Sequence, residues 1–240
     1  THWIGGMGVL VFILCLLPLT GGYHMNLMKA ESPGPSVSKL VPKVQSTAKI
    51  LYTIYIILTV VEIIFLLIGK MPLFDTLCLS FGTAGTGGFG IKNDSIASYS
   101  TYNQVVITVF MILFGINFNA YYLLLTKKVM QAAKNEEVRY YLGIIGLAIV
   151  AIAINTREMF TSFGRAFQQA AFQVGSIITT TGYATTDFNV WPVFSKTILV
   201  ILMFVGACAG STGGGIKVSR LLILCKSARK ELQLYLHPNA

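Results

Sequence analysis

The sequences FGTAGTGGFG at Phe81–Gly90 and SIITTTGYAT at Ser176–Thr185 are two strips rich in threonine and glycine. Each strip follows a semi-apolar segment too short to cross a bilayer, and each lies between two segments that are long enough. Aligning Gly87 with Gly182 gives a repeat of 95 residues (182 − 87). Irregular backbone at membrane depth is tolerated only where it is buried in protein or lines a water-filled path. The repeated strips therefore predict a filter for ions.

The composition is that of a membrane protein. Of the 240 residues, 54% are hydrophobic and 11% are charged, whereas soluble proteins have roughly 25% charged residues. Thirteen of the 18 lysines and arginines fall between predicted spans, in Lys29–Lys49, Lys127–Arg139 and Lys217–Lys230. Because short basic loops remain on the cytoplasmic side of a membrane, these stretches predict one orientation. The basic excess therefore does not indicate nucleic-acid binding.

Five segments approach the roughly 20 apolar residues that a membrane span needs. They are Trp3–Met28, Ile50–Ile68, Val105–Leu125, Tyr140–Ile154 and Phe194–Cys225, the last with a glycine-rich interruption. Two shorter segments, Met71–Gly82 and Met159–Ile178, precede the strips and are predicted to be helices that enter the membrane and turn back.

The predicted fold is an all-α membrane protein, built from repeated units of span, pore helix, filter strip and span around a central pore. We assign residues 1–28 to the last helix of the first unit, 29–49 to a cytoplasmic link, 50–126 to the second unit, 127–139 to a second link, 140–226 to the third unit and 227–240 to a cytoplasmic tail. The first apolar run lacks the basic start and small-residue cleavage site of a signal peptide. We expect a fragment that begins at the start of a helix.

The strips have the residue types that a cation filter requires. Rings of backbone carbonyls can replace the hydration shell of a monovalent cation, and glycine allows the backbone angles that direct carbonyls toward one axis. The C-terminal end of each short helix carries partial negative charge, which favours a cation nearby. The predicted ion-binding residues are Gly85, Thr86, Gly87, Thr180, Thr181 and Gly182. The alternative is that these residues only permit close helix packing in lipid.

The last predicted span is interrupted by the sequence GACAGSTGGG at Gly206–Gly215. A glycine costs about 1 kcal/mol relative to alanine in a helix interior, so five glycines predict a true break. The interruption is either a movable gate or a kink for close helix packing. The predicted gate residues are Gly206, Gly210, Ser211, Thr212, Gly213, Gly214 and Gly215.

Several motifs together resemble one family, and the resemblance covers essentially the whole chain. Besides the strips, they are WIGGMG at Trp3–Gly8, ESPGP at Glu31–Pro35, FMILFGINF at Phe110–Phe118 and GACAGSTGGGIKVSR at Gly206–Arg220. The chain is identified as resembling the Trk/Ktr/HKT superfamily of potassium transporters, as a fragment of the membrane pore subunit. The resemblance implies four repeats around one pore, a homodimer and a cytosolic nucleotide-binding regulatory subunit.

The resemblance also implies individual roles. Gly87 and Gly182 correspond to the filter glycines of the second and third repeats, with the carbonyls of Thr86 and Thr181 beside the ion. Gly206–Gly215 corresponds to a flexible intramembrane loop that obstructs the pore. The first filter and the fourth repeat have no counterpart in this sequence, so the chain alone is not expected to close a pore.

The predicted function is potassium uptake across the cell membrane by a multi-pass protein that contacts lipid. We predict no enzymatic activity, no cofactor, no nucleic-acid partner and no metal beyond the transported K⁺. A sodium-coupled or Na⁺-permeable potassium transporter and a non-transporting membrane scaffold are the alternatives. The isolated acid Glu62, inside a predicted span, is as easily explained by a structural partner as by an ion role.

Overall fold

The structure is a computed structural model that describes residues 1–8 and 44–236. Most of the predicted first helix, the link at 29–49 up to residue 43, and residues 237–240 lie outside the described residues. The described helices are α1 His2–Gly6, α2 Val44–Ile68, α3 Leu73–Ala84, α4 Thr101–Phe114, α5 Phe118–Leu125, α6 Val129–Ala133, α7 Glu136–Asn155, α8 Phe163–Ile178, α9 Val193–Phe204 and α10 Val218–Leu236. Short 3-10 turns occur at Arg157–Met159 and Phe188–Val190. Within these ranges the fold is all-α, as predicted.

Two described helices, α2 and α7, are long and apolar enough to cross a membrane. Both begin earlier than predicted, at Val44 and Glu136 instead of Ile50 and Tyr140. The start of α7 is fixed by Asn135, whose side-chain oxygen accepts a hydrogen bond from the Glu137 amide at 3.1 Å. Such a cap satisfies one of the free amides at a helix start. The predicted link at 127–139 therefore contains the start of α7, as well as the short helix α6.

The predicted span Val105–Leu125 is not one continuous helix, because the chain bends by 91° between α4 and α5, which together are long and apolar enough for a broken span. Helix α4 ends at Phe114, and Asn117 caps the new helix by accepting a hydrogen bond from the Asn119 amide at 2.9 Å. An asparagine that satisfies a free amide favours the start of a helix over its interior. The bend leaves polar backbone between the two helices, which other residues must satisfy.

The two predicted units pack as neighbouring helix groups. Helices α2, α3 and α4 enclose one apolar core, which includes Tyr55 and Phe114, and α7, α8 and α9 enclose another, which includes Tyr141 and Trp191. Helix α4 also packs against α8. Since α4 packs against α3 as well, it connects the two helices that are predicted to be re-entrant, α3 and α8.

The predicted span Phe194–Cys225 is broken, as its glycines indicate. Helix α9 ends at Phe204, an irregular loop covers residues 205–217, and α10 begins at Val218. Helix α10 continues to Leu236, so the predicted cytoplasmic tail at 227–240 begins inside a helix. Many of its side chains between residues 223 and 233 are exposed.

Candidate functional site

Each strip begins in the last turn of a helix predicted to be re-entrant, α3 or α8, and the two strips turn in the same way. The amide of Thr86 donates to the carbonyl of Thr83, and the amide of Thr180 donates to that of Ile177, both at 3.0 Å. Thr86 and Thr180 both have positive φ angles, of 53° and 59°. Positive φ is uncommon for residues other than glycine, so its recurrence at matching places indicates the same local fold in both units.

This shared backbone geometry corrects the predicted alignment of the strips. Thr180 follows Thr86 by 94 residues (180 − 86), and the next glycines with positive φ, Gly88 at 67° and Gly182 at 88°, have the same separation. The counterpart of Gly182 is therefore Gly88, and not Gly87. The prediction was wrong by one residue, because it matched Thr-Gly letter pairs, whereas turn geometry sets the register.

The two strips lie side by side. A Cβ atom added to Gly88 would lie 2.0 Å from the carbonyl oxygen of Thr181, so only glycine fits there without a shift of the backbone. Further along the chain from both residues, the amide of Ile96 donates to the carbonyl of Ala184 at 3.0 Å. The amide of Ala184 donates to the Ser95 hydroxyl at 3.1 Å. The second and third units thus bring their strips into direct contact.

Tyr183 fixes the strip at Ser176–Thr185 against helix α3. Its hydroxyl donates to the carbonyl of Leu79 in α3 at 3.2 Å, and its own carbonyl accepts a hydrogen bond from Ser176 at 2.6 Å. The ring is almost completely buried. Gly82 makes room for it, because a Cβ there would lie 2.2 Å from the tyrosine hydroxyl oxygen.

The loop at residues 205–217, called the glycine loop below, closes on itself at a narrow neck. The amide of Gly206 donates to the carbonyl of Ile216 at 2.8 Å, and the amide of Ile216 donates to that of Phe204 at 3.2 Å. A Cβ on Gly215 would lie 2.8 Å from the Cα atom of Gly206. The first and last glycines of the predicted gate therefore permit a close backbone contact that larger residues would prevent.

The glycine loop satisfies the polar backbone that the bend between α4 and α5 leaves free. The amides of Thr212 and Cys208 donate to the carbonyls of Phe114 and Gly115, at 3.3 and 3.1 Å. The amide of Phe118 donates in return to the carbonyl of Gly210 at 2.9 Å. Helix ends have unpaired carbonyls and amides, and here the bend and the loop satisfy each other. FMILFGINF and the glycine loop thus form one structural element.

The glycine loop also contacts both strips directly. The Thr86 hydroxyl donates to the carbonyl of Thr212 at 3.0 Å, and the amide of Gly214 donates to the Thr180 hydroxyl at 2.7 Å. A Cβ on Gly213 would lie 3.2 Å from the carbonyl oxygen of Thr179. The residues predicted as filter and gate are therefore brought together in one place.

Glu137 is a residue of this site that sequence reasoning missed. One of its carboxylate oxygens accepts the amide of Ala209 at 2.6 Å and the amide of Ser219 at 3.3 Å. The other accepts the side-chain amide of Asn117 at 3.4 Å. The cap residue Asn135 predicts a helix start at Glu136, but these contacts join residues far apart in sequence, and no local pattern indicates them.

Other polar residues have local roles in the described structure. His2 places its Nε2 atom 3.0 Å from the carbonyl oxygen of Gly85, the first predicted filter residue. The Lys217 ammonium donates to the carbonyl of Gly213. Tyr99 donates to the Asp75 carboxylate at 2.8 Å, and burial together with this hydrogen bond raises the pKa of the Tyr99 phenol.

Glu62 is fully buried, and neither carboxylate oxygen has a hydrogen-bond partner among the described residues. It lies beside Thr83, whose hydroxyl donates to the carbonyl of Leu79 at 2.8 Å. The Thr83 hydroxyl is therefore the group of the described residues that stands beside this acid, although it donates to the carbonyl of Leu79.

Comparison with known proteins places the chain in a family. The family model of TrkH, described as a cation transport protein, matches residues 1–149 and 140–240. The chain belongs to the TrkH family of cation transport proteins. It is 35% identical over 244 residues to the Trk system potassium uptake protein TrkH of Salmonella typhimurium, a match covering 100% of this chain and 50% of that protein. Over 247 residues it is 37% identical to TrkH of Vibrio parahaemolyticus, covering 100% of this chain and 51% of that one.

A solved structure agrees with this assignment. The crystal structure of the potassium transporter TrkH from Vibrio parahaemolyticus superposes with a TM-score of 0.82 at 32% identity, covering 100% of this chain and 49% of that one. The chain thus spans about half the length of the relatives that it matches. The relatives are named as uptake proteins and not as enzymes. Membership of a membrane transport family agrees with the apolar helices α2 and α7.

Proposed function

We propose that this chain forms the second and third repeats of a potassium uptake protein in the cytoplasmic membrane, which it crosses several times. The observation that carries the proposal is the meeting of two re-entrant strips with one irregular loop. The Thr86 hydroxyl and the Gly214 amide join that loop to both strips, at 3.0 and 2.7 Å. Backbone of this kind is found at membrane depth only where protein or water surrounds it.

In this proposal the backbone carbonyls of the strips replace the hydration shell of K⁺. The proposed ion-binding segments are residues 85–88 and 179–182. Glycine stands at the same register position in both, as Gly88 and Gly182, with φ angles of 67° and 88°. The glycine in both strips favours potassium over the alternative of a Na⁺-permeable transporter. Carbonyls of the first and fourth repeats would complete the ring.

The glycine loop is the proposed gate. It lies against both strips and is held by hydrogen bonds to the bend after α4, so it would obstruct a path running between the strips. Each of these bonds is worth only about 1 kcal/mol net, which allows the loop to move when the surrounding helices do. A homodimer and a cytosolic nucleotide-binding regulatory subunit belong to this proposal by resemblance to the superfamily.

The test is uptake of Rb⁺, in place of K⁺, into vesicles that contain the full-length protein, with Na⁺ as the competing ion. Gly182→Ser forces a side chain onto a residue with a φ of 88°, and we expect uptake or discrimination against Na⁺ to fall at least tenfold. Gly146→Ser is the matched control. At both Gly182 and Gly146 an added Cβ would have no atom within 4 Å, but Gly146 is an exposed residue of α7, outside the strips. Absence of Rb⁺ uptake, or uptake and discrimination unaltered by Gly182→Ser, would contradict the filter.

A further inference from the structure

The carboxylate of Glu137 joins three parts of the chain that are distant in sequence. It accepts hydrogen bonds from the amide of Ala209 at 2.6 Å, from the amide of Ser219 at 3.3 Å and from the side chain of Asn117 at 3.4 Å. Ala209 lies in the glycine loop, Ser219 in the first turn of α10, and Asn117 at the start of α5. A single side chain therefore contacts the glycine loop, the helix α10 that follows it and the start of α5.

Glu137 itself is held on a rigid element. It lies in the first turn of α7, a helix of 20 residues whose start is capped by Asn135. The cap oxygen accepts from the amides of Glu137 and Val138, at 3.1 and 3.5 Å. Because α7 packs against α8 and α9, the carboxylate has a fixed position relative to the strip at Ser176–Thr185, which follows α8.

The bond to Ala209 is the shortest of the three, and like the other two it is accepted by a carboxylate. Hydrogen bonds to a carboxylate are shorter and roughly twice as strong as those between neutral groups, and 2.6 Å is short for a nitrogen donor. The bonds between the glycine loop and the bend join neutral groups at 2.9 to 3.3 Å, one of them from the Thr212 hydroxyl to the carbonyl of Phe114. Loss of the carboxylate would remove the single charged acceptor that holds the Ala209 amide.

We propose that Glu137 is a positioning residue for the glycine loop, which it holds against the strips by binding the Ala209 amide and the first turn of α10 together. The expected effect of Glu137 on transport rests on the proposed gating role of this loop. The effect of Glu137 on the position of the loop is independent of that role and can be measured separately.

Cys208 provides the measurement, because it precedes Ala209 and is fully buried. In the full-length protein with every other cysteine replaced by serine, the rate at which a small cationic methanethiosulfonate reagent modifies Cys208 reports how firmly the loop is held. We expect Glu137→Ala to raise this rate at least tenfold, which corresponds to about 1.4 kcal/mol. Glu137→Gln keeps a carbonyl oxygen for Ala209, and its rate is expected to lie between those of the parent and of Glu137→Ala.

Glu136→Gln is the matched control. Glu136 precedes Glu137 in the same first turn, but it is exposed and pairs with Lys226 at 2.5 Å, and we expect it to leave the modification rate unchanged. Where Glu137→Ala does not assemble, the isosteric Glu137→Gln provides the test, with an expected rise of about threefold. A Cys208 rate equal to that of the parent in the variants that assemble would overturn the proposal, as would an equal rise in Glu136→Gln.

Rb⁺ uptake by the same variants separates this inference from the proposed function. Faster Cys208 modification with altered Rb⁺ uptake supports both the role of Glu137 and the gate. Faster modification with parental uptake supports the role of Glu137 in holding the loop, and it contradicts the proposal that the loop is the gate.

Discussion

Replacing Gly88 by alanine tests the register of the two strips. The added Cβ would lie 2.0 Å from the Thr181 carbonyl oxygen, a backbone atom that cannot rotate away, and the φ angle there is 67°. A left-handed backbone costs a residue other than glycine about 1–2 kcal/mol, and overpacking costs about 1–3 kcal/mol more. The sum of about 2–5 kcal/mol exceeds the 1.4 kcal/mol that changes an equilibrium tenfold. We therefore expect Gly88→Ala to displace the strip at Ser176–Thr185.

Gly87→Ala is the matched control, one residue away. Its φ is not in the left-handed region, and its Cβ would meet ring atoms of His2 and Phe89 at 2.7 and 2.9 Å, which can move aside. The assay is Rb⁺ uptake with Na⁺ competition in vesicles of the full-length protein, together with the melting temperature of each purified variant. We expect Gly88→Ala to lose discrimination at least tenfold more than Gly87→Ala. The reverse order would restore the 95-residue alignment and refute the register derived from the backbone.

Two further substitutions test contacts around the strips. Thr180→Val removes the acceptor of the Gly214 amide, a bond of 2.7 Å, and we expect faster Rb⁺ uptake because the loop is held less firmly; uptake equal to that of the parent would count against the contact. Tyr183→Phe removes the bond of 3.2 Å to the carbonyl of Leu79 and should destabilise the protein by about 1 kcal/mol, measured by thermal unfolding. An unchanged or higher melting temperature would contradict the role assigned to this hydroxyl.

The positions along the chain of the two short helices that precede the strips could be predicted from composition. Each is a semi-apolar segment between apolar spans, and each ends at a run of threonine and glycine; the predicted Met71–Gly82 and Met159–Ile178 correspond to helices at Leu73–Ala84 and Phe163–Ile178. The break in the last span was also predictable, because five glycines within ten residues are incompatible with a stable helix interior.

The bend after α4 was not predictable from hydropathy. Residues 105–125 are mostly apolar, and the signals for the bend are only Gly115 at the end of α4 and the cap residue Asn117 at the start of α5. The register of the strips was missed for a related reason. Identical letters suggested one alignment, whereas the hydrogen bonds of Thr86 and Thr180 to the preceding helices define another.

The contacts of Glu137 depend on the packing of α7 against the glycine loop. Its partners Ala209 and Ser219 lie more than 70 residues away in sequence, at separations of 72 and 82. From the sequence alone, an acid in a basic stretch is most simply a charged residue of the surface. Long-range packing of this kind determines which polar residues serve the site.

The most direct measurement is the anomalous scattering of Rb⁺ in crystals of the full-length protein. We predict Rb⁺ density on the axis between the strips, beside the backbone carbonyls of residues 85–88 and 179–182. Rb⁺ density elsewhere in the protein, with none beside either strip, would contradict the claim that these strips bind the transported ion.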